Sequence, residues 1–383
     1  NRGHDLYLQH ACVMALTQIN DLAELVESAG NENTFIRMGA VLALRRMKRQ
    51  EISVFLRDTD HAIAAEAARA INDVPIEGAQ QQLAQLIQRV NLPAAALKRS
   101  INAQYRLGNT ENAAYLISFA QDKNANEFLR AQAILMLAKW ANPPKRDLIT
   151  GLWRPQEARD PRSAAVPLRL ALGKLMSDVP DTVKQACIEA MVALDLQDES
   201  DLLLKQVQSP DVSDGVIVDA INALAKFGSP RLIEALSLAR SSDSDSVYAA
   251  AVRHQSKLKP EDAVQLFEID LNNDSTLVQQ AAIEGLSAIK TPKAILLLDG
   301  LMDQLLIGTL RTSLRLDLLE FAAKSEAAVI QQKLKTYRES LPTDDSLAGY
   351  RPTLNGGNIK LGEIIFKERQ EFGCMRCHSI GNQ

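Results

Sequence analysis

A recurring nine-residue string limits what this chain can fold into more than any other feature. Copies read LQHACVMAL from Leu8, IRMGAVLAL from Ile36, IAAEAARAI from Ile63, LRAQAILML from Leu129, VKQACIEAM from Val183, VIVDAINAL from Val216 and VQQAAIEGL from Val278, with a more divergent copy from Val247. Position one is aliphatic, position five is Ala or Cys, position six is apolar, and position nine is Leu, Ile or Met in the first seven. Positions one, five and nine lie four apart, so they make one stripe of a helix. The small residue in that stripe (Cys12, Ala40, Ala67, Ala133, Cys187, Ala220, Ala282) lets a neighbouring helix approach closely, and all seven are expected in the core.

Three residues before the strings stand Asp5, Asn33, Asp60, Asn126, Ser213, Ser244 and Ser275. Each can accept a hydrogen bond from an otherwise unpaired N–H of the first helical turn. After a short polar turn a second apolar segment follows, at Ile52–Leu56, Leu83–Ile87, Leu202–Val207, Leu232–Leu238 and Ile295–Leu298. Starts recur roughly every 27 to 34 residues, with a wider gap between Leu129 and Val183. One helical pair cannot bury both of its faces, so pairs must stack. Over about its first 310 residues the chain resembles the HEAT-repeat family, which implies an all-α, right-handed superhelical solenoid of helical pairs. Armadillo-type or mixed stacks would carry a similar pattern.

Composition agrees. Hydrophobic residues make up 46% and are rich in Ala and Leu, while aromatics are only 4%, which suits close-packed helices and not sheets. Lys and Arg number 43 against 47 Asp and Glu, for a net charge of −4 without long runs of either sign, so nucleic acid is not an expected partner. The most apolar segment, 294–306, is interrupted by Asp299 and Asp303, and no membrane span is expected. The chain opens at Asn1 already in helical pattern, which reads as part of a longer protein.

The wider gap holds WANPPKRDLITGLWRPQEARDPR, from Trp140 to Arg162, with four prolines and both tryptophans. Proline at that density precludes a continuous helix. The segment, an insert over 141–162, is expected to be a clasp tucking Trp140 and Trp153 against the solenoid; the other reading is a docking loop for another domain.

Between 341 and 358 the pattern gives way to LPTDDSLAGYRPTLNGGN, which reads as a linker. Then comes IKLGEIIFKERQEFGCMRCHSIGNQ, with Cys374, Cys377 and His378 in the C-x-x-C-H arrangement of covalent haem attachment. Two thiols three positions apart on a tight turn can each form a thioether with one haem vinyl group, and the adjoining imidazole ligates the iron. Cys374 and Cys377 are thus candidate haem c attachment residues and His378 the candidate axial, iron-binding ligand, with haem c expected in the intact, longer protein. Met375 and Arg376 are spacers, with Arg376 either solvated or paired to a propionate. Half of a zinc site or a redox dithiol are the alternatives, though no second Cys or His pair completes a tetrahedral set. No sixth ligand can be named; Met38, Met302 and His10 fall on solenoid helices as packing or surface residues. His4, His61 and His254 show no triad pattern and are expected at the surface, and no catalytic residue is expected.

The helical stack, the tryptophan-bearing insert and the tail YRPTLNGGN, LGEIIF and CMRCH together resemble large exported bacterial proteins of Planctomycetes, Verrucomicrobia and Bacteroidetes. In these a sugar-dehydrogenase-like propeller precedes HEAT repeats and a cytochrome c domain. The resemblance implies a map of solenoid over 1–340, linker over 341–360 and the start of a cytochrome c domain over 361–383. It implies that Gly362 and Phe366 belong to a helix packing near the haem, that the whole protein is periplasmic or exported, and that the cytochrome takes electrons from a PQQ-type dehydrogenase domain. This chain itself is expected not to be an enzyme. Its expected partners are other domains of the same protein or other proteins. A general protein-interaction solenoid without redox role is the main alternative. HEAT-type DNA glycosylases or bilin lyases are a third reading, against which the net charge argues in the glycosylase case.

Overall fold

The computed structural model describes residues 5–89, 92–177, 179–257 and 260–368, together with Cys374 and His378. The described chain is helical, with no strand and one isolated antiparallel bridge, between Arg146 and Trp153. It divides into two compact units, Asn1–Ser229 and Pro230–Gln383.

In the first unit one row of helices consists of α1 (Leu6–Ile19), α3 (Thr34–Arg46), α4 (His61–Asp73), α6 (Ala94–Leu107), α8 (Glu127–Ala138), α10 (Asp181–Ala193) and α12 (Asp214–Phe227), each packed on the next. The partner row holds α2 (Leu22–Glu27), α5 (Gln80–Gln85), α7 (Thr110–Gln121), α9 (Arg162–Leu175) and α11 (Ser200–Gln208). Between α3 and α4 the partner segment Ile52–Leu56 lies in a 3-10 helix, Gln50–Arg57, and not an α-helix, yet Ile52, Phe55 and Leu56 are buried as the pattern requires. In the second unit α14 (Asp245–Gln255) and α16 (Thr276–Ser287) carry the strings from Val247 and Val278 and continue in a row with α18 (Arg315–Lys324), backed by α13 (Leu232–Ala239), α15 (Pro260–Asp270), α17 (Pro292–Leu306) and α19 (Ala328–Glu339). A 3-10 segment, Ala348–Leu354, and α20 (Ile359–Glu368) follow.

The stripe works as its chemistry dictates. Ala40, Ala67, Ala133, Cys187, Ala220 and Ala282 are all buried, and the absence of bulk there lets adjacent helices meet. Cys12 departs from the expectation: it is exposed, because α1 packs on α3 but buries none of its own residues. The side chains of Asp5, Asn33, Asp60, Asn126 and Ser244 accept first-turn N–H groups as N-caps. Ser213 and Ser275 occupy the cap position without a side-chain capping bond.

Between Ile63 and Leu129 the structure inserts a repeat that the string did not reveal. Its helix, α6, reads LKRSINAQY from Leu97, placing Ile101, Asn102 and Tyr105 where Ala, an apolar residue and Leu stand elsewhere. These are nevertheless buried, because Asn102 and Tyr105 find polar partners. The helix ends in a left-handed glycine, Gly108, φ +70°. Arg159 packs so closely against Gly108 that a β-carbon there would collide with its guanidinium.

Candidate functional site

The haem-type motif follows α20. Asn358 starts this helix, its Oδ1 accepting from Leu361 N–H at 2.9 Å and its carbonyl from Gly362 N–H at 2.9 Å. The helix leaves Ile359, Leu361, Ile364 and Ile365 exposed, Ile359 by 90%. Gly362 is exposed with open space where a side chain would sit, and Phe366 is half-buried. Beyond the helix, Cys374 is a half-buried free thiol and His378 is exposed. The carbonyl of Cys374 accepts from the His378 N–H at 3.0 Å, an i to i+4 backbone bond between the two described residues of the motif. Cys377, like Met375, Arg376 and His4, lies outside the described residues.

This arrangement fits a covalently attached haem: a thiol and an imidazole sit one turn apart, the imidazole is accessible, and an uncovered apolar helix precedes them. No group of three or more His, Cys, Asp or Glu side chains able to hold a metal occurs among the described residues. Met302 is fully buried, Met38 half-buried and His10 exposed. Beside α20 a groove of about 660 Å³ lies between α16, α17 and α18, floored by Ile283, Ile295, Leu298 and Phe321 and edged by Leu361. On its rim Asp317 is held above the usual carboxylate range chiefly by burial, against the hydrogen bond from Gln280, with Glu320 and Glu284 adding a smaller repulsion.

The second notable assembly is the insert in the first unit. Trp140 is wholly buried, as expected: its indole N–H donates to Ser163 Oγ at 2.8 Å and its ring meets Tyr105 edge-on, centroids 6.0 Å apart. The Arg159 guanidinium stacks on both rings, 4.9 Å from Tyr105 and 5.0 Å from Trp140, and donates to the Tyr105 carbonyl at 2.6 Å. Burial pushes the Tyr105 phenol up to about 12, so it stays a donor, to the Lys139 carbonyl at 2.9 Å.

Trp153 corrects the clasp expectation, because it is 61% exposed. What tucks in are its neighbours. The Asp147 carboxylate is fully buried and accepts from Asn102 Nδ2 at 2.9 Å, from the N–H groups of Ile149 and Thr150 at 3.0 Å each, and from Thr150 Oγ1 at 3.1 Å. Arg154 reaches Asp147 at 3.4 Å, the Asn72 carbonyl at 2.9 Å and Glu77 at 2.9 Å. Asn102 also donates to Asn72 Oδ1 at 2.9 Å, so α4, α6 and the insert share one buried polar network. Sequence reading missed these residues, since a buried Arg or Asp carries no mark that distinguishes it from a solvated one. His254 was likewise expected at the surface; it is half-buried, and burial with Lys257 and Arg253 nearby pushes its imidazole down to about 4.

No protein-family model and no curated protein matches this sequence. Among solved structures the chain is similar to Kap121p, seen bound to Pho4p, with TM-score 0.58 and 16% identity over 88% of this chain and 42% of that one. It is less similar to an engineered protein (TM-score 0.42, 14% identity, 85% of this chain and 90% of that one). A chain of the full-length AP-3 complex gives TM-score 0.41 and 13% identity over 92% and 83% of the two chains. The chain thus spans less than half of Kap121p, and the likeness at that identity establishes the fold alone: an all-helical, solenoid-type repeat scaffold.

Proposed function

We propose that this chain is a HEAT-type scaffold that carries a c-type haem near its C-terminal end and couples it to a dehydrogenase-like domain of the same exported protein. The supporting observation is the Cys374, Cys377, His378 motif, set behind the exposed apolar face of α20 and closed by the Cys374 to His378 backbone bond. Cys374 and Cys377 would hold the group by adding their S–H bonds across its two vinyl groups, and His378 would ligate its iron. The bound group supplies one-electron transfer. The stacked helical pairs of each unit serve as spacer, and the chain by itself turns nothing over.

The test is to express the full chain in a host able to attach haem c, denature it in acidified organic solvent and record its absorption spectrum. Covalently retained haem is expected, and should be lost when Cys374 and Cys377 are both changed to alanine. Colourless protein, or colour that extraction removes from the unaltered chain, would sink the electron-transfer reading. A second reading, a protein-interaction solenoid, is favoured by the likeness to Kap121p, a protein seen with Pho4p bound. It would stand if no haem is retained.

A further inference from the structure

The insert has a hydrogen-bonded base and an apolar tip left exposed by the described residues of its own unit. At the base, the Asp147 N–H donates to the Leu152 carbonyl at 2.8 Å and the Arg154 N–H to the Lys145 carbonyl at 2.9 Å, making a minimal two-stranded ribbon. Gly151 turns it at φ +69°, a conformation that favours glycine, and Arg146 Nη1 donates across the turn to the Gly151 carbonyl at 3.0 Å. Asp147 and Arg154 then lock this ribbon to α4 and α6 through the buried network. Chain neighbours on a ribbon point opposite ways, so fixing Asp147 and Arg154 inward leaves Arg146 and Trp153, the bridged pair, outward.

The result is an indole, Trp153 at 61% exposure, standing on a backbone that cannot fold it in; Leu152, next to the Gly151 turn, is itself 49% exposed. The Lys145 ammonium lies 5.8 Å from the Trp153 ring centroid, and Lys145 and Arg146 are both exposed. Among the described residues neither of these cations is paired to a carboxylate. The carboxylates of Asp147 and Glu77 are engaged by Arg154, and that of Asp73 by Arg99 and Asn72. The tip is therefore apolar at its centre and positive at its edge.

We propose that Lys145, Arg146, Leu152 and Trp153 form a preorganised docking site for an acidic segment of a partner protein that presents a large aliphatic or aromatic side chain to the indole. Trp and Arg are the residues whose burial at an interface contributes most. A pinned ribbon avoids the ordering cost that a flexible loop would incur, and the two cations choose the sign of the partner and speed its approach. This inference is independent of the haem reading.

The probe is a displayed library of random dodecapeptides, selected on the full chain. Enriched sequences are synthesised with a fluorescein label and titrated by anisotropy against the unaltered chain, Trp153→Ala, Trp153→Phe and the Lys145→Glu, Arg146→Glu double variant. The expected consensus combines Asp or Glu with Leu, Phe or Trp. Binding should weaken at least about tenfold in Trp153→Ala and in the double variant, recover in part in Trp153→Phe, and fall with added salt, while the melting temperatures of the two Trp153 variants stay unchanged because that side chain is exposed. A consensus without acidic residues, or binding indifferent to Trp153 and to the charge reversal, overturns the proposal. Sedimentation velocity adds a further check: a concentration-dependent dimer abolished by Trp153→Ala would overturn it by giving the tip to a second copy of this chain.

Discussion

Changing Asp147 to alanine should cost the first unit about 3–5 kcal/mol, the range for removing one partner of a buried charge pair. The figure follows from what would be left behind. Asn102 Nδ2 would lose one of its two acceptors, the Ile149 and Thr150 N–H groups their only named one, and Arg154 and Arg106, whose guanidinium lies 3.6 Å from the carboxylate, their shared counter-charge. Against a total of about 5–15 kcal/mol for a typical domain, such a loss is large. Asp147→Asn keeps the volume and one acceptor, so it should cost about 1.5–3 kcal/mol. Urea unfolding followed by the fluorescence of buried Trp140, in a Trp153→Phe background, measures both. The pH response adds an independent check. Burial disfavours the charged carboxylate, but the hydrogen bonds from Asn102, Thr150 and Ile149 together outweigh it and hold Asp147 below its ordinary value of 3.8. A depressed carboxyl contributes stability that is present above its unfolded value and lost as pH falls through the folded one. The gap between the unaltered chain and Asp147→Ala should therefore persist down to about pH 4 and close only below it. A loss under about 1 kcal/mol, within the range of an ordinary surface pair, would refute the idea that this carboxylate pins the insert.

Three further outcomes can be checked with standard measurements. His254, pushed down to about 4 from 6.5 by burial and by Lys257 and Arg253, must take up a proton when its unit unfolds in acid. Its contribution is present above 6.5 and lost as pH falls from there towards 4, so His254→Gln should flatten urea stability across that window by about 1–2 kcal/mol, allowing for its partial exposure. Gly285→Ala in α16 would drive a β-carbon into the fully buried Phe267 ring, and should lower stability by about 1–3 kcal/mol despite the better helix former, read as a drop in melting temperature. The Cys187 thiol, raised to about 12 by burial, should resist Ellman's reagent in the folded chain while exposed Cys12 reacts; equal rates for the two would contradict the packing of α10.

What the sequence disclosed was whatever local periodicity records. Ala40, Ala67 and Ala282 declare the row of close-packed helices because each repeats the same spacing, and Asn33 and Asp60 mark their starts because capping is settled within one turn. The α6 repeat was hidden because Asn102 and Tyr105 are buried on the strength of partners 30 and 34 positions away, Asn72 and Lys139, which no window around α6 contains. The C-x-x-C-H motif stands out in the sequence for the opposite reason: its two thiols and imidazole fall within five positions, and the one bond inside it among the described residues, Cys374 to His378, spans four.

The insert shows why an expectation that was right about its kind went wrong about its residues. Counting two tryptophans in a proline-rich segment suggests that both are anchors, since Trp is usually well buried. Burial, however, is decided by which side of the ribbon has polar partners beneath it. Asn72 and Asn102 offer a buried carbonyl and amide pair that an aspartate and an arginine can satisfy and an indole cannot, so Asp147 and Arg154 take the inward positions and the pleat forces Trp153 out. The two roles are consequently separable. Arg154→Ala should loosen the insert and weaken peptide binding together, whereas Trp153→Ala should weaken binding at least about tenfold on an insert whose network is intact; if instead both variants destabilise equally, Trp153 is a packing residue after all.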